Sequence, residues 1–329
     1  MHGETDSHAL GGWQRARGLH ASPFMVSRSN ASTCLPWLAV PVEEAPQLST
    51  AYTCAVATER VRNEPAAGYR LYWMASGRFG SCDVPIDPMA HVVVGRHAFC
   101  DAVLDGDPSI ALRHLIVRAT RLDDGCPRLS VVDLHTNIGF QLNDGRHERS
   151  MAVTGPIAFR VGAYAIVALP GGESLPDALP EPVCVRALAA HPYRDAPVSS
   201  VTLLPPPLQI GAGETAAGEG LRLVLQGSRG SATTRLSSTD LELGVLVGRA
   251  PKCADALRNV LDNGISRVHL LLRRDVSIAS KTRPCAYDLA STQGTYVFGR
   301  RIRSTVIGDG MEIGLGAVNT VRMHVHALP

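Results

Sequence analysis

The chain has 329 residues, of which 45% are hydrophobic and 19% charged, and its formal net charge is +2. That length suits two domains of ordinary size, each with its own core. The near-neutral balance, with no Lys/Arg-rich run, argues against nucleic acid as a partner. No stretch approaches the roughly 18 apolar residues that a membrane span requires. Met1-His2-Gly3-Glu4 opens the chain without the basic patch and apolar run of a signal peptide. The eight cysteines, at 34, 54, 82, 100, 126, 184, 253 and 285, form no close CxxC pair. They read as reduced structural thiols with no metal site, in a soluble protein of the cytoplasm.

Residues 1–65 are rich in Gly, Ser, Pro and Ala, with only isolated apolar residues such as Trp13, Phe24, Trp37 and Leu38. The expectation is an N-terminal extension, in part disordered or packed on the first domain. That first domain is expected over 66–170, opening at Gly68-Tyr69-Arg70-Leu71. A Pro/Ala/Gly-rich linker is expected over 171–218, marked by Pro170-Gly171-Gly172 and Pro205-Pro206-Pro207. A second domain is expected over 219–329. Its apolar runs, at 221–225, 243–247, 269–272, 286–289, 295–298, 312–315 and 321–326, are short and separated by Gly, Asp, Asn and Ser. That pattern predicts an all-β sandwich of many short strands, with one helical turn over 253–260.

The two domains repeat one another. Val94-Gly95-Arg96 returns as Val247-Gly248-Arg249, and Ile110-Ala111-Leu112-Arg113-His114 returns as Ile265-Ser266-Arg267-Val268-His269. Asp133-Leu134 followed by Gly139 returns as Asp288-Leu289 followed by Gly294. The His-to-Asp offset is 19 residues in both copies and the Asp-to-Gly offset is 6. A shared set of offsets marks two copies of one structural unit.

In the second copy the polar residues fall where strands should end. Arg249 follows the run at 243–247, Ser266 and Arg267 precede the run at 269–272, and Ser291-Thr292-Gln293-Gly294 follow the strand ending near Leu289. If these loops converge, they offer a guanidinium fork, hydroxyls and an amide around one space, a donor set suited to a phosphate dianion. His269, followed by three leucines, is expected to point inward and hold loop backbone.

These motifs resemble forkhead-associated (FHA) domains, small sandwiches of about eleven strands that bind phosphothreonine peptides. The second copy carries the family's Gly-Arg as Gly248-Arg249 and its Ser-Arg-x-His as Ser266-Arg267-Val268-His269. The later stretch is Asp288 to Thr295, and Gly308-Asp309 opens a further motif that runs to Gly316. The resemblance implies two tandem FHA-like sandwiches. It implies that Arg249 and Ser266 contact phosphate, with Arg267, Ser291, Thr292 and Gln293 completing the phosphopeptide site. Gly248, His269 and Gly294 would give structural support. Gln293 stands where the family has Asn. The first copy keeps Gly95-Arg96 and His114, but Ala111, Leu112 and Ile138 replace the Ser, Arg and Asn.

The expected function is therefore a non-enzymatic adaptor, without cofactor or catalytic residues. Its second domain would bind a phosphothreonine-bearing protein, a Ser/Thr kinase or a kinase substrate. The first domain would serve as scaffold or phosphate-independent interface, in which Arg96 and Arg113 are left to hold a carboxylate. Lys252 and Arg258 are candidates to extend the basic rim. The alternative is a structural or assembly protein in which both domains make phosphate-independent contacts. No Gly-x-Ser-x-Gly, His-Glu-x-x-His or nucleotide-loop motif favours an enzyme.

Overall fold

A computed structural model describes residues 46–62, 66–122, 125–172, 174–180, 220–276, 282–317 and 320–328. The first 45 residues of the expected extension and most of the expected linker, 181–218, lie outside the described residues. Two sandwiches are present. The first contains helix α1 (Leu48–Arg60) and strands β1 (Gly68–Ala75), β2 (Arg78–Pro85), β3 (Val92–Gly95), β4 (Ala102–Val103), β5 (Leu115–Arg121), β6 (Pro127–Asp133), β7 (Phe140–Leu142), β8 (His147–Glu148), β9 (Ser150–Thr154), β10 (Ile157–Val161) and β11 (Tyr164–Pro170). The second contains β12 (Leu221–Gly227), β13 (Gly230–Leu236), α2 (Ser238–Leu243), β14 (Val245–Val247), α3 (Asp255–Arg258), β15 (Leu270–Val276), β16 (Thr282–Asp288), β17 (Thr295–Val297), β18 (Arg300–Ile302), β19 (Ser304–Val306), β20 (Glu312–Leu315) and β21 (Val321–Ala327).

The sheets match between copies. One sheet runs β2-β1-β11-β10-β7-β8 in the first sandwich and β13-β12-β21-β20-β17-β18 in the second. The facing sheets are β4-β3-β5-β6-β9 and β14-β15-β16-β19. Strand alternation explains them. In β12, Leu221, Leu223 and Leu225 are buried while Arg222 and Gln226 face water, the period of two that a half-buried sheet requires. Strand β11 is buried along its whole length, because both its faces are covered. Tyr164, Ile166 and Ala168 enter the sandwich core. Ala165, Val167 and Leu169 pack instead against Ala51, Tyr52, Ala55 and Val56 of α1.

Helix α1 falls within the stretch read as lacking periodicity. It packs on the outside of the first sandwich, where Arg70 of β1 bonds Glu59 at 2.9 Å and Asp83 at 2.6 Å. The short helix α2 is a second element without a sequence expectation, and it begins at a capping box made by Ser237 and Asp240. The expected helical turn over 253–260 is α3.

The facing sheets have a further set of buried residues pointing out of their own sandwiches. Val92 and Val94 of β3 face inward, and Val93 faces outward. Leu115 and Val117 of β5 enclose the core, and Ile116 points away from it. The second sandwich repeats this with Leu246 between Val245 and Val247, and Leu271 between Leu270 and Leu272. Val93, Ile116 and Leu134 join Leu246, Leu271, Cys285, Tyr287 and Leu289 in one apolar cluster shared by both sandwiches. Repeat-related residues thus occupy both sides of the contact: Val93 and Leu246, Ile116 and Leu271, Leu134 and Leu289, Cys100 and Cys253. This is the arrangement of an isologous, two-fold interface.

Polar contacts border the cluster. Arg118 pairs with Asp275 at 2.6 Å, with its guanidinium 4.7 Å from the centre of the Tyr287 ring. The Tyr287 hydroxyl donates to the same carboxylate at 2.9 Å. Arg303 donates to the His91 carbonyl and to Asp101, and Ser304 donates to the Met89 carbonyl. His91, almost wholly buried, lies against Tyr287, with its Nε2 2.8 Å from the Asp288 carbonyl.

The shared cluster is expected to couple the two sandwiches in unfolding. Differential scanning calorimetry should record a single transition for the whole chain. Leu271→Asp, which places a carboxylate in that cluster, should split it into two or lower it by several degrees. A Leu271→Asp chain that melts as one unit at the original temperature would contradict the coupling.

Candidate functional site

Each sandwich presents three loops at one end, and a common set of backbone bonds draws them together. Gly248 lies so close to the next loop that a Cβ there would stand 2.3 Å from the Arg267 carbonyl oxygen. At Gly95 the corresponding distance, to the Leu112 carbonyl oxygen, is 2.5 Å. Only glycine permits that approach. The Gly-Arg motif is therefore a packing requirement as well as a source of charge. Arg249 and Ala250 donate their backbone amides to the carbonyls of Ser266 and Arg267 at 3.4 and 2.8 Å. The Arg249 side chain turns the same way, with Nε donating to the Ile265 carbonyl at 2.6 Å and Nη1 to Asn263 Oδ1 at 3.2 Å. Its guanidinium is thus held along the loop that carries Ser266.

His269 joins this loop to the third. It is fully buried; the Ser266 amide donates to Nδ1 at 3.3 Å, and Nε2 stands 3.1 Å from the Gly294 carbonyl. Accepting at Nδ1 and donating from Nε2 is the pattern of a neutral imidazole. Burial accordingly pushes its pKa below the ordinary value, although Asp288 nearby acts the other way.

Asp288 organises the third loop. It accepts from the Ser291 amide at 2.8 Å and from the Ser291 and Thr295 hydroxyls at 2.5 and 2.7 Å, while Ser291 Oγ accepts from the Gly294 amide at 3.0 Å. Ser291, expected among the peptide contacts, is only 1% exposed, so its hydroxyl serves the loop and does not face a ligand. Ala290 just before it has φ +53°, as does His135 at the same point of the first sandwich.

The loops meet where the Thr292 amide donates to Ser266 Oγ at 3.1 Å. Because that oxygen acts as acceptor, its own hydrogen remains available to donate. Thr292, Gln293 and Arg267 are exposed, and Arg249 is half-buried. The Ser266 hydroxyl and the Thr292 amide meet, and the Arg249 guanidinium lies along the loop that carries Ser266. Two neighbours were missed. Asn263 orients Arg249, and nothing in its loop distinguished it. Arg301 donates to the Ser291 carbonyl at 3.3 Å and packs beside Gly294; the basic pair Arg300-Arg301 was its only sequence signal.

The first sandwich has the same framework. Arg96 Nε donates to the Ile110 carbonyl at 2.6 Å, the Ala111 amide donates to His114 Nδ1 at 3.1 Å, and His114 Nε2 lies 2.8 Å from the Gly139 carbonyl. Thr136 replaces Ser291 and bonds Asp133 and the Gly139 amide in the same way. The donors differ: Ala111, Leu112 and Ile138 hold the positions of Ser266, Arg267 and Gln293.

Three expectations need correction. Arg113 does not face a ligand carboxylate, because it is 4% exposed and donates to the Leu289 and Ala290 carbonyls of the other sandwich. Lys252 does not extend the rim; it reaches into the first sandwich to the Leu134 carbonyl, and burial lowers its pKa. Arg258 is paired with Asp255 at 2.9 Å.

The FHA domain family model matches residues 92–155 and 245–316, one match in each sandwich. The chain is thus a tandem FHA-domain protein. Among solved structures, the FHA-1 domain of Rv1747 from Mycobacterium tuberculosis is 26% identical, over 33% of this chain and 98% of its own, with a TM-score of 0.27. The FHA domain of CT664 from Chlamydia trachomatis is 25% identical over 32% and 96%, at 0.25. The Slr1951 protein of Synechocystis sp. is 22% identical over 32% and 96%, at 0.26. No curated protein matches the chain. FHA domains are non-catalytic adaptor modules that bind phosphothreonine-containing partners. Among the described residues no helix is long and apolar enough to cross a membrane, and no group of side chains could hold a metal ion.

The buried histidines make stability depend on pH. His91, desolvated and facing Arg303, has its pKa pushed down to about 4, and burial lowers those of His114 and His269. Below the unfolded value of about 6.5 the unfolded chain takes up protons that the folded one refuses. Stability should be level above that pH and fall as it drops toward 4, by up to about 1.4 kcal/mol per unit for each histidine. Urea unfolding at pH 7 and pH 5 measures this, and His91→Gln should flatten the slope. His269→Ala should lower the melting temperature; an unchanged value would refute its bracing role.

Proposed function

We propose that the second FHA domain binds a phosphothreonine segment of a partner protein, and that the first is a phosphate-independent scaffold. Arg249, Ser266 and Arg267 supply donors to the phosphate. Thr292 adds a hydroxyl, and Gln293 meets the peptide backbone beside it. The observation that carries this reading is the 3.1 Å bond that brings the Thr292 amide to Ser266 Oγ, with the Arg249 side chain bonded along the same loop.

The first sandwich serves as an internal comparison. Its framework shares the close Gly95 approach, the His114 link and the Asp133–Thr136 bond, but the side chains of Ala111, Leu112 and Ile138 offer a dianion no donor. Each charge-assisted bond contributes about 1.5–3 kcal/mol, so losing two of them weakens a site by a few orders of magnitude. The partner on this reading is a Ser/Thr kinase or one of its substrates, met in the cytoplasm, and the adaptor carries no catalytic group of its own.

Calorimetry on the whole chain with phosphothreonine, phosphoserine and unmodified versions of one peptide tests the reading. The phosphothreonine form should bind at least tenfold more tightly than the unmodified one, about 1.4 kcal/mol. A smaller preference favours an assembly protein whose domains both make phosphate-independent contacts. Arg249→Ala should cost about 2–4 kcal/mol of phosphopeptide affinity and Ser266→Ala rather less. Unchanged affinity in Arg249→Ala would remove the site.

A further inference from the structure

We propose that Arg113, a residue of the first sandwich, is a positioning residue for the recognition loop of the second. The inference builds on the phosphothreonine reading and concerns what sets the shape of that loop. Arg113 is 4% exposed, and its guanidinium crosses the interface to donate from Nε to the Leu289 carbonyl at 2.5 Å and from Nη2 to the Ala290 carbonyl at 2.6 Å. Those carbonyls immediately precede Ser291, Thr292 and Gln293. Ala290, whose backbone joins the two carbonyls, has φ +53°, a conformation that costs a residue with a side chain and that His135 shares in the first sandwich. Two charge-assisted bonds from a rigid planar group fix the position of that turn in the second sandwich alone. Two residues further on, the Thr292 amide meets Ser266 Oγ. Any shift of the 289–290 peptide therefore moves the donor group that the site depends on.

The contact has no symmetric twin. The repeat places Val268 where the first sandwich has Arg113, and an apolar side chain cannot donate back. The loop of the first sandwich is held differently, by Lys252, whose ammonium donates to the Leu134 carbonyl. Each loop thus takes a cation from the opposite domain. The loop that carries phosphate donors receives the two-pronged one, and the loop that lacks them receives a single ammonium. Burying a guanidinium against carbonyl oxygens carries a large desolvation cost, and burial does lower the Arg113 pKa. A residue needed only to fill the interface could be apolar, as Val268 is. The first domain, having lost its own donors, forms part of the other domain's site.

The test uses the full chain, an immobilised pool of phosphothreonine peptides with an unmodified pool as blank, and amide hydrogen exchange. Arg113→Ala should weaken binding to the phosphorylated pool at least tenfold and speed exchange over 289–294, with exchange in β12 and β21 unchanged. Arg113→Lys, which keeps the charge and can reach one carbonyl, should fall between Arg113→Ala and the parent. Lys252→Ala removes a buried cation from the same interface. It should speed exchange over 134–138 and leave binding within twofold. Binding and 289–294 exchange unchanged in Arg113→Ala would overturn the proposal, as would an equal loss of binding in Lys252→Ala. If Arg113→Ala fails to fold, Arg113→Lys decides, and its equality with the parent in both readouts overturns the proposal. If the parent chain ignores the phosphorylated pool, the phosphothreonine reading falls. Exchange over 289–294 then judges Arg113 alone: acceleration supports the brace and no change rejects it.

Discussion

A neutral imidazole sealed from water sits between a backbone amide and a backbone carbonyl of two different loops, and the recognition end of each domain is organised around it. His269 binds the Ser266 amide on one side and the Gly294 carbonyl on the other. His114 does the same between Ala111 and Gly139. Both ring nitrogens are used, so rotating or charging the ring breaks at least one link. Asp288 and Asp133 gather their own loops in parallel, through the Ser291 and Thr136 hydroxyls. Loop positions are thereby fixed independently of the residues that would touch a ligand. The first domain has the same frame, with Ala111, Leu112 and Ile138 at three positions that carry polar side chains in the second.

The second constraint lies between the domains. Strands of the facing sheets bury both their faces, and the outward residues Val93, Ile116, Leu246, Leu271 and Tyr287 form a core shared by the two sandwiches. The Arg118–Asp275 pair and the Arg303 bonds occupy its margin. Neither domain is a free module on a tether, because each supplies the surface that covers the other. The cross-domain bonds of Arg113 and Lys252 end on the loops that follow β16 and β6, so domain packing and loop shape belong to a single problem.

The fold class and the candidate site were legible in the sequence because both depend on local order and spacing. Gly248-Arg249, Ser266-Arg267-Val268-His269 and the Asp288 to Thr295 stretch each report a loop whose backbone geometry permits few residue types. The interface was not legible. Leu271 between Leu270 and Leu272 reads as any strongly apolar strand, and periodicity does not say whether the second face meets water or another domain. The misreading of Arg113 and Lys252 has the same origin, since a cation in a loop looks available until its acceptor is seen across a domain boundary. Ser291 was misplaced for a different reason: motif membership does not separate a hydroxyl that faces a ligand from one that faces its own aspartate. Helix α1 was passed over although Leu48, Ala51, Tyr52, Ala55 and Val56 have the i, i+3, i+4, i+7, i+8 spacing of an amphipathic face, because that face is short, partly built of Ala and set in a Gly/Ser/Pro/Ala-rich stretch.

The near two-fold match of the two halves has a consequence for how such a molecule can change. In a pair of identical chains every substitution lands on both partners, so a pocket cannot be given up on one side and kept on the other. Writing the pair into a single polypeptide lifts that restriction. Val268 can stand opposite Arg113, and Ala111 opposite Ser266, while the shared face stays intact. Covalent linkage of the halves is what allows a symmetric assembly to divide its labour.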